Sequence, residues 1–346
     1  MRSGPVTRRM LVGAPRGVAL FLIVYLGCGV TSCRKDRGTP AWAAPSEGVA
    51  IAAESTNPAA LALVVGSQEV EVVAGLRFIA YNVENWLTMD RYVNRKLMKS
   101  SPKPDSEKKA VIQLLVKHAP DVVGLCEIGE IKDLLEIQQS LKAGGLDLPH
   151  VHFMGGSDPV RHLGMLSRYP LRVAGPPVER EFQMNGQTFA MNRGILDAAL
   201  VAHGKSYRLL GVHLKSKREI EDLDQEAMRI HEARLLRRHL DAIFKSDGAA
   251  RLIVYGDFND TRPSTAFKTV TGSYNHPSYL TAIPCRDTRG EAWTHYWALH
   301  DIYTRFDFVT VSSALKPDVD FRASRILDDP TWNDASDHRP LLAIFK

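Results

Sequence analysis

Apolar runs that close on a carboxylate, an amide or an imidazole recur from residue 76 to the last residue of this chain. Leu76–Asn82 closes on Asn82, Asp121–Glu127 on Glu127, and Tyr207–His213 on His213. Arg251–Asp257 closes on Asp257, with Asn259 just beyond it. Asp307 interrupts Phe306–Val311, and Ser336-Asp337-His338 precedes Leu341–Phe345. Short runs of this kind, rich in β-branched and aromatic residues and bounded by turn residues, predict strands. A strand ending on such a group presents it at the rim of a sheet, where sites are built. One such end is ordinary turn chemistry. Their recurrence along one chain predicts a shared rim.

Two further runs, Gly164–Ser167 and Gly194–Ala202, also read as strands. Helical period appears at Ala110, Leu114, Leu115 and His118, and again at Leu223, Ala227, Ile230, Ala233, Leu236, Leu240 and Ile243. Pro120-Asp121 closes the first helix. Many strands with a few interposed helices predict a layered α/β domain; periodicity alone does not say how its sheets stack.

The N-terminal part has a different character. Arg2, Arg8, Arg9 and Arg16 precede or flank the apolar run Val18–Leu26, which is short for a membrane span. Val30-Thr31-Ser32-Cys33 follows and resembles a bacterial lipobox, which makes Cys33 the expected site of lipidation. Tyr25-Leu26-Gly27-Cys28 fits that pattern less well. Cleavage after Ala41-Trp42-Ala43 and an uncleaved anchor are the alternatives. The chain is therefore expected to divide into a lipoprotein-type signal peptide over 1–32, a flexible tether over 33–74 and a folded domain over 75–346. The tether is rich in Ala, Pro, Ser and Gly, with one short β segment expected near 61–73. The protein is expected outside the cytoplasm, held on a membrane by a lipid anchor, with a secreted or periplasmic form as the alternative.

The formal net charge is +5. The four arginines of residues 1–32 face no acid there, so about +1 remains for residues 33–346, and global charge identifies no partner. Among the cysteines, Cys126 lies in an apolar run and reads as a buried inert thiol. A disulfide with Cys285 is the weaker alternative. No cysteine spacing suits zinc.

Six segments taken together carry a resemblance. They are Tyr81-Asn82-Val83-Glu84-Asn85, Cys126-Glu127-Ile128, Gly211-Val212-His213-Leu214-Lys215-Ser216-Lys217, Gly256-Asp257-Phe258-Asn259, Arg305-Phe306-Asp307-Phe308 and Ser336-Asp337-His338. In this order they resemble the motif set of the endonuclease/exonuclease/phosphatase superfamily, the DNase I-like metal-dependent phosphodiesterases. The resemblance spans residues 76–346 and implies a four-layer α/β sandwich with two packed mixed sheets. It implies Mg²⁺ or Mn²⁺ at Glu127 and Asp337, with Asn82 nearby; these are hard oxygen donors suited to such ions. It makes His338 the general base and Asp307 its orienting partner. Asn259 would align the nucleophilic water, His213 would stabilise the phosphorane, and Asp257 would assist the leaving oxygen. Arg193 and Lys215 are the candidate phosphate contacts.

The expected activity is hydrolysis of phosphodiester bonds, with nucleic acid as the expected substrate and a monomer as the expected state. A phospholipase C-type or phosphatase activity on lipid or sugar phosphates is the first alternative, and a surface-anchored binding module without catalysis the second. Repair-type members carry a tyrosine where this chain reads Val160–Ser167 without one, which argues against abasic-site repair. Asp90–Lys109 carries Arg91, Arg95, Lys96, Lys99, Lys103, Lys108 and Lys109 against Asp90, Asp105 and Glu107, and reads first as a solvated loop and helix start and otherwise as a grip on a polyanion. Trp293–Trp297 is the aromatic cluster nearest the motifs, read first as core packing and otherwise as a base-stacking or lipid-touching element.

Overall fold

Alternation along the first strand sets the layers. Leu76–Trp86 is buried along nearly its whole length, and its side chains divide between two cores. Leu76, Phe78 and Ala80 join Leu196, Leu209, Ile253, Tyr255 and Val309. Ile79, Tyr81 and Val83 join Val111, Leu114, Leu115 and Ile137 on the other side. Lys205–His213 divides in the same way. Tyr207 and Leu209 face the first cluster, whereas Leu210 and Val212 face Leu235, Leu236 and Leu240 of a helix. Two sheets therefore meet through a central core, and each carries helices on its outer face. This is the expected four-layer α/β sandwich.

The computed structural model describes residues 75–93, 96–175, 177–218 and 223–346. The expected signal peptide, the tether with its β segment, Cys33 and Arg95 lie outside these residues. One six-stranded sheet runs Arg325–Ile326, Leu341–Phe345, Leu76–Trp86, Val122–Ile128, His162–Ser167, His150–Met154. The other runs Leu280–Ala282, Asp307–Ser312, Leu252–Asp257, Lys205–His213, Leu196–Ala202, Arg172–Val173. Both are mixed. Leu76–Trp86 pairs parallel with Val122–Ile128 and antiparallel with Leu341–Phe345. Lys205–His213 pairs parallel with Leu252–Asp257 and antiparallel with Leu196–Ala202. The parallel pairs bring Asn82 beside Cys126, and His213 beside Asp257. That register is what assembles a rim.

The sheets approach closely because small residues face large ones. Tyr255 lies between them, and a Cβ on Gly124 would fall 2.0 Å from its ring. The outer layers are the helices Asp105–His118 and Ile131–Ala143 on one side and Gln225–Ser246 and Thr265–Thr271 on the other. Acids Asp105 and Glu107 open the first helix, and Lys117 and His118 close it, as its dipole favours. Asp224 caps the long helix by accepting from the Ala227 N–H.

Three regions differ from the sequence reading. Met89–Val93 and Lys96–Ser101 form an antiparallel hairpin where a loop was expected, and the expected helix start follows it at Asp105. The second of these strands is exposed almost throughout, so burial imposes no alternation on its sequence. Strand His150–Met154 is absent from the sequence reading, because its one buried residue is the polar His152 and its apolar residues are only partly buried. Trp293–Trp297 is not simply core. His295–Trp297 pairs with Ile302–Thr304 in a hairpin, and Trp297, Leu299, Ile302 and Tyr303 are exposed. Cys126 and Cys285 are both free and buried, so the disulfide alternative is not realised.

Candidate active site

The rim where strands from both sheets end gathers the motif side chains. Its backbone is held in unusual conformations. Glu84, Asn85, Glu127 and Asn259 all have φ between 48° and 66°, a region that non-glycine residues enter at a cost. Gly256, before Asp257, has φ 131°, and a Cβ there would meet the Val212 carbonyl at 1.9 Å. Four strained non-glycine positions among the motif residues indicate a backbone shaped by the site.

Asn82 is the central strut. Its Nδ2 donates to Glu127 Oε1 at 3.2 Å and to Asp257 Oδ2 at 3.1 Å, while its Oδ1 accepts from the Glu84 N–H at 3.1 Å. The Asn85 N–H donates to Glu127 Oε2 at 2.9 Å. Ser336 Oγ donates to the Asn82 carbonyl at 2.8 Å and accepts from the His338 N–H at 3.0 Å, tying the first strand to the last motif.

Asp307 and His338 form a dyad. His338 Nδ1 lies 2.7 Å from Asp307 Oδ2, with both side chains buried. Thr294 Oγ1 accepts from the Asp307 and Phe306 N–H groups and so fixes the start of that strand. The other ring nitrogen of His338, Nε2, faces Asp257 Oδ2 at 3.8 Å and Asp337 Oδ1 at 3.9 Å. Burial alone would push the imidazole down. Asp307, followed by Asp337 and Asp257, overrides that and raises it well above its ordinary value. His213 behaves oppositely. Burial, then Arg193, His338 and Arg161, hold it well below the usual imidazole range, so it is neutral. His213 Nε2 lies 3.6 Å from Asp257 Oδ2 and 4.0 Å from Glu127 Oε1.

Asp257 is buried, and burial with the neighbouring Asp307 carboxylate raises its carboxyl to about 6. Its Oδ1 accepts the Asn259 N–H at 2.7 Å. Asn259 Nδ2 is committed to the Leu214 carbonyl at 2.9 Å, which leaves Oδ1 as its free polar atom.

Several residues of the site carry no signal of function in the sequence reading. Glu84 lies inside the quoted first motif without a role, yet its Oε2 accepts the Asp337 N–H at 3.0 Å. Burial and the Asp337 carboxylate raise it to about 7. As the only acid of that motif it could have been singled out. His295 lies 3.6 Å from Asp337 Oδ2, with its ring 4.6 Å from that of His338. It was concealed inside the aromatic cluster. Asp337 is kept below the usual carboxylate range by His295 and His338, against burial.

The ligand atoms that come within 4.8 Å of one another form two groups among the described residues. These are His295, Asp337 and His338, and Asp257, Asp307 and His338. Glu127 belongs to neither and sits with Asn82 and His213; Asp337 sits with Glu84. The rim nevertheless fits a divalent cation. It packs Glu84, Glu127, Asp257 and Asp337 together, two of them with carboxyls raised by burial and by a neighbouring carboxylate despite a nearby cation, and hard oxygens suit Mg²⁺ or Mn²⁺.

A flank of the rim is basic. Arg193 is buried, with Nη2 at 3.2 Å from Asp158 and with Nε and Nη1 unpartnered. Arg161 Nε donates to Asn85 Oδ1 at 2.8 Å and lies 3.9 Å from Glu127 Oε2. Lys215 is half-buried beside Arg193. The Asp90–Lys109 segment, by contrast, spends much of its charge on structure. Arg91 donates to the Asn85, Leu87 and Ser101 carbonyls. Lys103 is fully buried against Glu107 and the Glu84 carbonyl, and Lys108 pairs with Glu136. Lys96, Lys99 and Lys109 remain exposed.

Comparison with known proteins identifies the family and the fold. The family model described as Endonuclease/Exonuclease/phosphatase family matches residues 97–338, ending on His338. No curated protein matches the chain. Among solved structures, an endonuclease/exonuclease/phosphatase from Beutenbergia cavernae is similar at 18% identity, with 79% of this chain and 72% of that chain covered and a TM-score of 0.53. The human Nocturnin catalytic domain is similar at 17% identity over 79% of this chain and 94% of that chain, TM-score 0.52. Sphingomyelinase C from Streptomyces griseocarneus is similar at 15% identity over 79% and 99%, TM-score 0.51. At these identities the structural likeness bears on the fold.

Proposed function

This chain belongs to the endonuclease/exonuclease/phosphatase family, whose members hydrolyse phosphate esters, and on that premise we propose that it is a Mg²⁺- or Mn²⁺-dependent phosphodiesterase acting on nucleic acid outside the cytoplasm. The observation that carries the chemistry is the buried Asp307–His338 pair at 2.7 Å, with His338 Nε2 turned toward Asp257 and Asp337. Asp307 accepts the Nδ1 proton and leaves Nε2 as the nitrogen that exchanges its proton, and a cation bound among the rim acids would offset the carboxylates that raise His338 and so favour the neutral ring. From there His338 takes the proton of a water aligned by Asn259 Oδ1. The new P–O bond forms as the ester P–O bond breaks, and Asp257, with its carboxyl raised to about 6, can deliver a proton to the departing oxygen. His213, neutral and buried, is placed to donate to a phosphoryl oxygen as charge builds there. Glu84, Glu127 and Asp337 would hold the cation, with Asn82 orienting Glu127. The chemistry supplied by a bound Mg²⁺ or Mn²⁺ is positive charge on the phosphoryl oxygens.

The location rests on the lipobox-like Val30–Cys33, and Cys33→Ala should release the protein from the membrane fraction. The substrate is tested with DNA, RNA, sphingomyelin and phosphoinositides, each with Mg²⁺ and with EDTA. Metal-dependent hydrolysis of DNA or RNA supports the proposal. Hydrolysis of the lipids alone would transfer it to the second reading, a phospholipase C-type enzyme. One observation favours that second reading: the exposed Trp297, Leu299, Ile302 and Tyr303 belong to the same hairpin region as His295, and the Tyr296 N–H donates to the Asp337 carbonyl at 2.9 Å. Aromatic and aliphatic side chains exposed together suit a lipid interface better than a stack of bases.

A further inference from the structure

The Asp307–His338 pair joins residues of different sheets. Asp307 opens a strand of the second sheet, and His338 lies just ahead of Leu341–Phe345 in the first. Those two strands do not pair, so the 2.7 Å separation needs something that spans both. Thr294, completely buried, does so. Its Oγ1 accepts the Asp307 N–H at 3.0 Å and the Phe306 N–H at 3.1 Å, and its carbonyl accepts the Arg339 N–H at 2.6 Å. The Tyr296 N–H donates to the Asp337 carbonyl at 2.9 Å, so that His295 and His338 face each other across an antiparallel bridge. The backbones on either side of the dyad thus hang on one short segment, Trp293–Tyr296.

Arg339 locks that segment. Its guanidinium is wholly buried, with Nη1 at 2.7 Å from Asp287 Oδ2, whose side chain is buried as well. Nε and Nη2 both donate to the Trp293 carbonyl, at 3.2 and 2.5 Å, and the group lies over the Trp293 ring, 3.3 Å from its centroid. Asp287 is itself fixed, since its Oδ1 accepts the Arg289 and Glu291 N–H groups at 2.9 and 2.8 Å. Desolvation offsets most of the attraction within a buried ion pair, which therefore adds little stability over apolar side chains of the same volume. What this pair adds is a fixed geometry. The planar fork of an arginine meets a carboxylate and a carbonyl together in few arrangements.

We propose that Arg339 is a positioning residue for the base: held by Asp287, it fixes Trp293 and Thr294, and through Thr294 it sets the distance between Asp307 and His338. The inference rests on the reading of that pair as the catalytic dyad. Arg339 is sealed from solvent and all three of its side-chain nitrogens are engaged, so it touches neither water nor substrate. Without its side chain the Trp293 carbonyl loses the two donors that Arg339 gives it. The Asp307 N–H and the main chain after His338 then share a looser anchor. A misplacement of about one ångström between reacting groups is enough to cost about 100-fold in rate. A contact one layer behind the base can therefore act on kcat alone.

Two measurements on the full chain test this, one of them independent of activity. An imidazole N–H bound to a carboxylate resonates far downfield in proton NMR, and the signal that His338→Ala removes is that of His338 Nδ1. In EDTA, Arg339→Met should abolish or shift this signal, whereas Arg339→Lys, which can still reach Asp287, should keep part of it. The same signal in the native protein and in folded Arg339→Met, or no such signal in the native protein, would overturn the proposal. In hydrolysis of bis(4-nitrophenyl) phosphate with Mg²⁺, Arg339→Met should lower kcat ~10–100-fold with KM little changed. Added to Asp307→Asn, it should cost less than ~3-fold more, because the dyad it serves is already disabled. The same factor in both backgrounds would mean that Arg339 supports the fold and not the dyad. Should Arg339→Met not fold, Asp287→Asn keeps the arginine and weakens its hold. That variant should shift the same signal and lower kcat ~3–10-fold, and no change in either would overturn the proposal. If the native protein hydrolyses no phosphodiester, the activity reading fails and the NMR comparison alone decides the positioning role.

Discussion

Two kinds of carboxylate are built into this protein, and their surroundings differ in one respect. Away from the rim, Asp197 on strand Leu196–Ala202 is buried with Arg208 on both its oxygens, at 2.7 and 2.8 Å, and with His239 at 2.8 Å. Against burial, those partners hold it below the usual carboxylate range. Asp287 meets Arg339 at 2.7 Å, Asp329 meets Lys117 and His118, and both are likewise held down. At the rim, Glu84 and Asp257 are pushed up to about 7 and about 6 by burial and by a neighbouring carboxylate, Asp337 for Glu84 and Asp307 for Asp257. Structural acids carry their cations within the chain. Glu84 and Asp257 are not fully compensated by the cations near them, Lys103 and His338, and a divalent metal ion of the kind the family uses would supply the remaining positive charge.

The largest effect expected from this contrast is catalytic. Asp307→Asn and His338→Ala should each reduce kcat by about 10³-fold or more, and the double variant should lose little beyond the worse single one. Multiplicative losses would mean that the two do not act as a unit. A smaller effect separates the two kinds of acid through stability. Asp197→Asn removes a charge that Arg208 and His239 need, and should cost about 1–3 kcal/mol in denaturant unfolding, with the lower end set by the partial exposure of Arg208. Glu84→Gln should leave the metal-free protein as stable or slightly more stable, because it relieves repulsion with Asp337. A loss like that of Asp197→Asn would break the comparison.

The pH dependence is smaller again and has a definite sign. Glu84 and Asp257 in the folded state retain protons that their unfolded counterparts, near 4.5 and 3.8, have lost. These two groups therefore bind more protons in the native state across that window, and their own contribution to stability in EDTA falls as pH rises from about 4 through about 7, whereas His213 and His152, both held low by burial, contribute in the opposite direction. The raised His338 acts in the same direction above its ordinary value. Thermal unfolding in EDTA of the native protein and of Glu84→Gln across this range checks it: the Tm of the native protein minus that of the variant should fall as pH rises, and a difference that grows with pH would count against the arrangement.

How much of this was legible in the sequence follows from physical cause. Buried strands impose period two and end abruptly, so Leu76–Asn82, Tyr207–His213 and Arg251–Asp257 could be read together with the groups that close them. Phe306–Val311 was displaced by one residue, since the strand starts at Asp307 where Thr294 anchors its N–H. The stacking of the sheets came from the resemblance and not from periodicity. The hairpin of Met89–Val93 and Lys96–Ser101 left little pattern because solvent faces most of it. Glu84, His295, Arg161 and Glu232 were missed for another reason. Each acts through a contact with a residue distant in sequence, and no local spacing records that Glu84 would meet Asp337 or that Glu232 would hold Asn192 and Lys215. Lys103 shows the converse, a lysine in a basic run that proves to be buried.

The central claim is that the rim acids await a divalent cation, and calorimetric titration of the metal-free protein with Mg²⁺ or Mn²⁺ tests it directly. In two buffers of different ionisation heat at pH 6.5, binding should be accompanied by net proton release, because Glu84 must give up a proton to serve as a ligand. Glu84→Gln should bind the metal ~10–100-fold more weakly and should release fewer protons. Absence of metal binding, together with full hydrolysis of a phosphodiester in EDTA, would contradict the account.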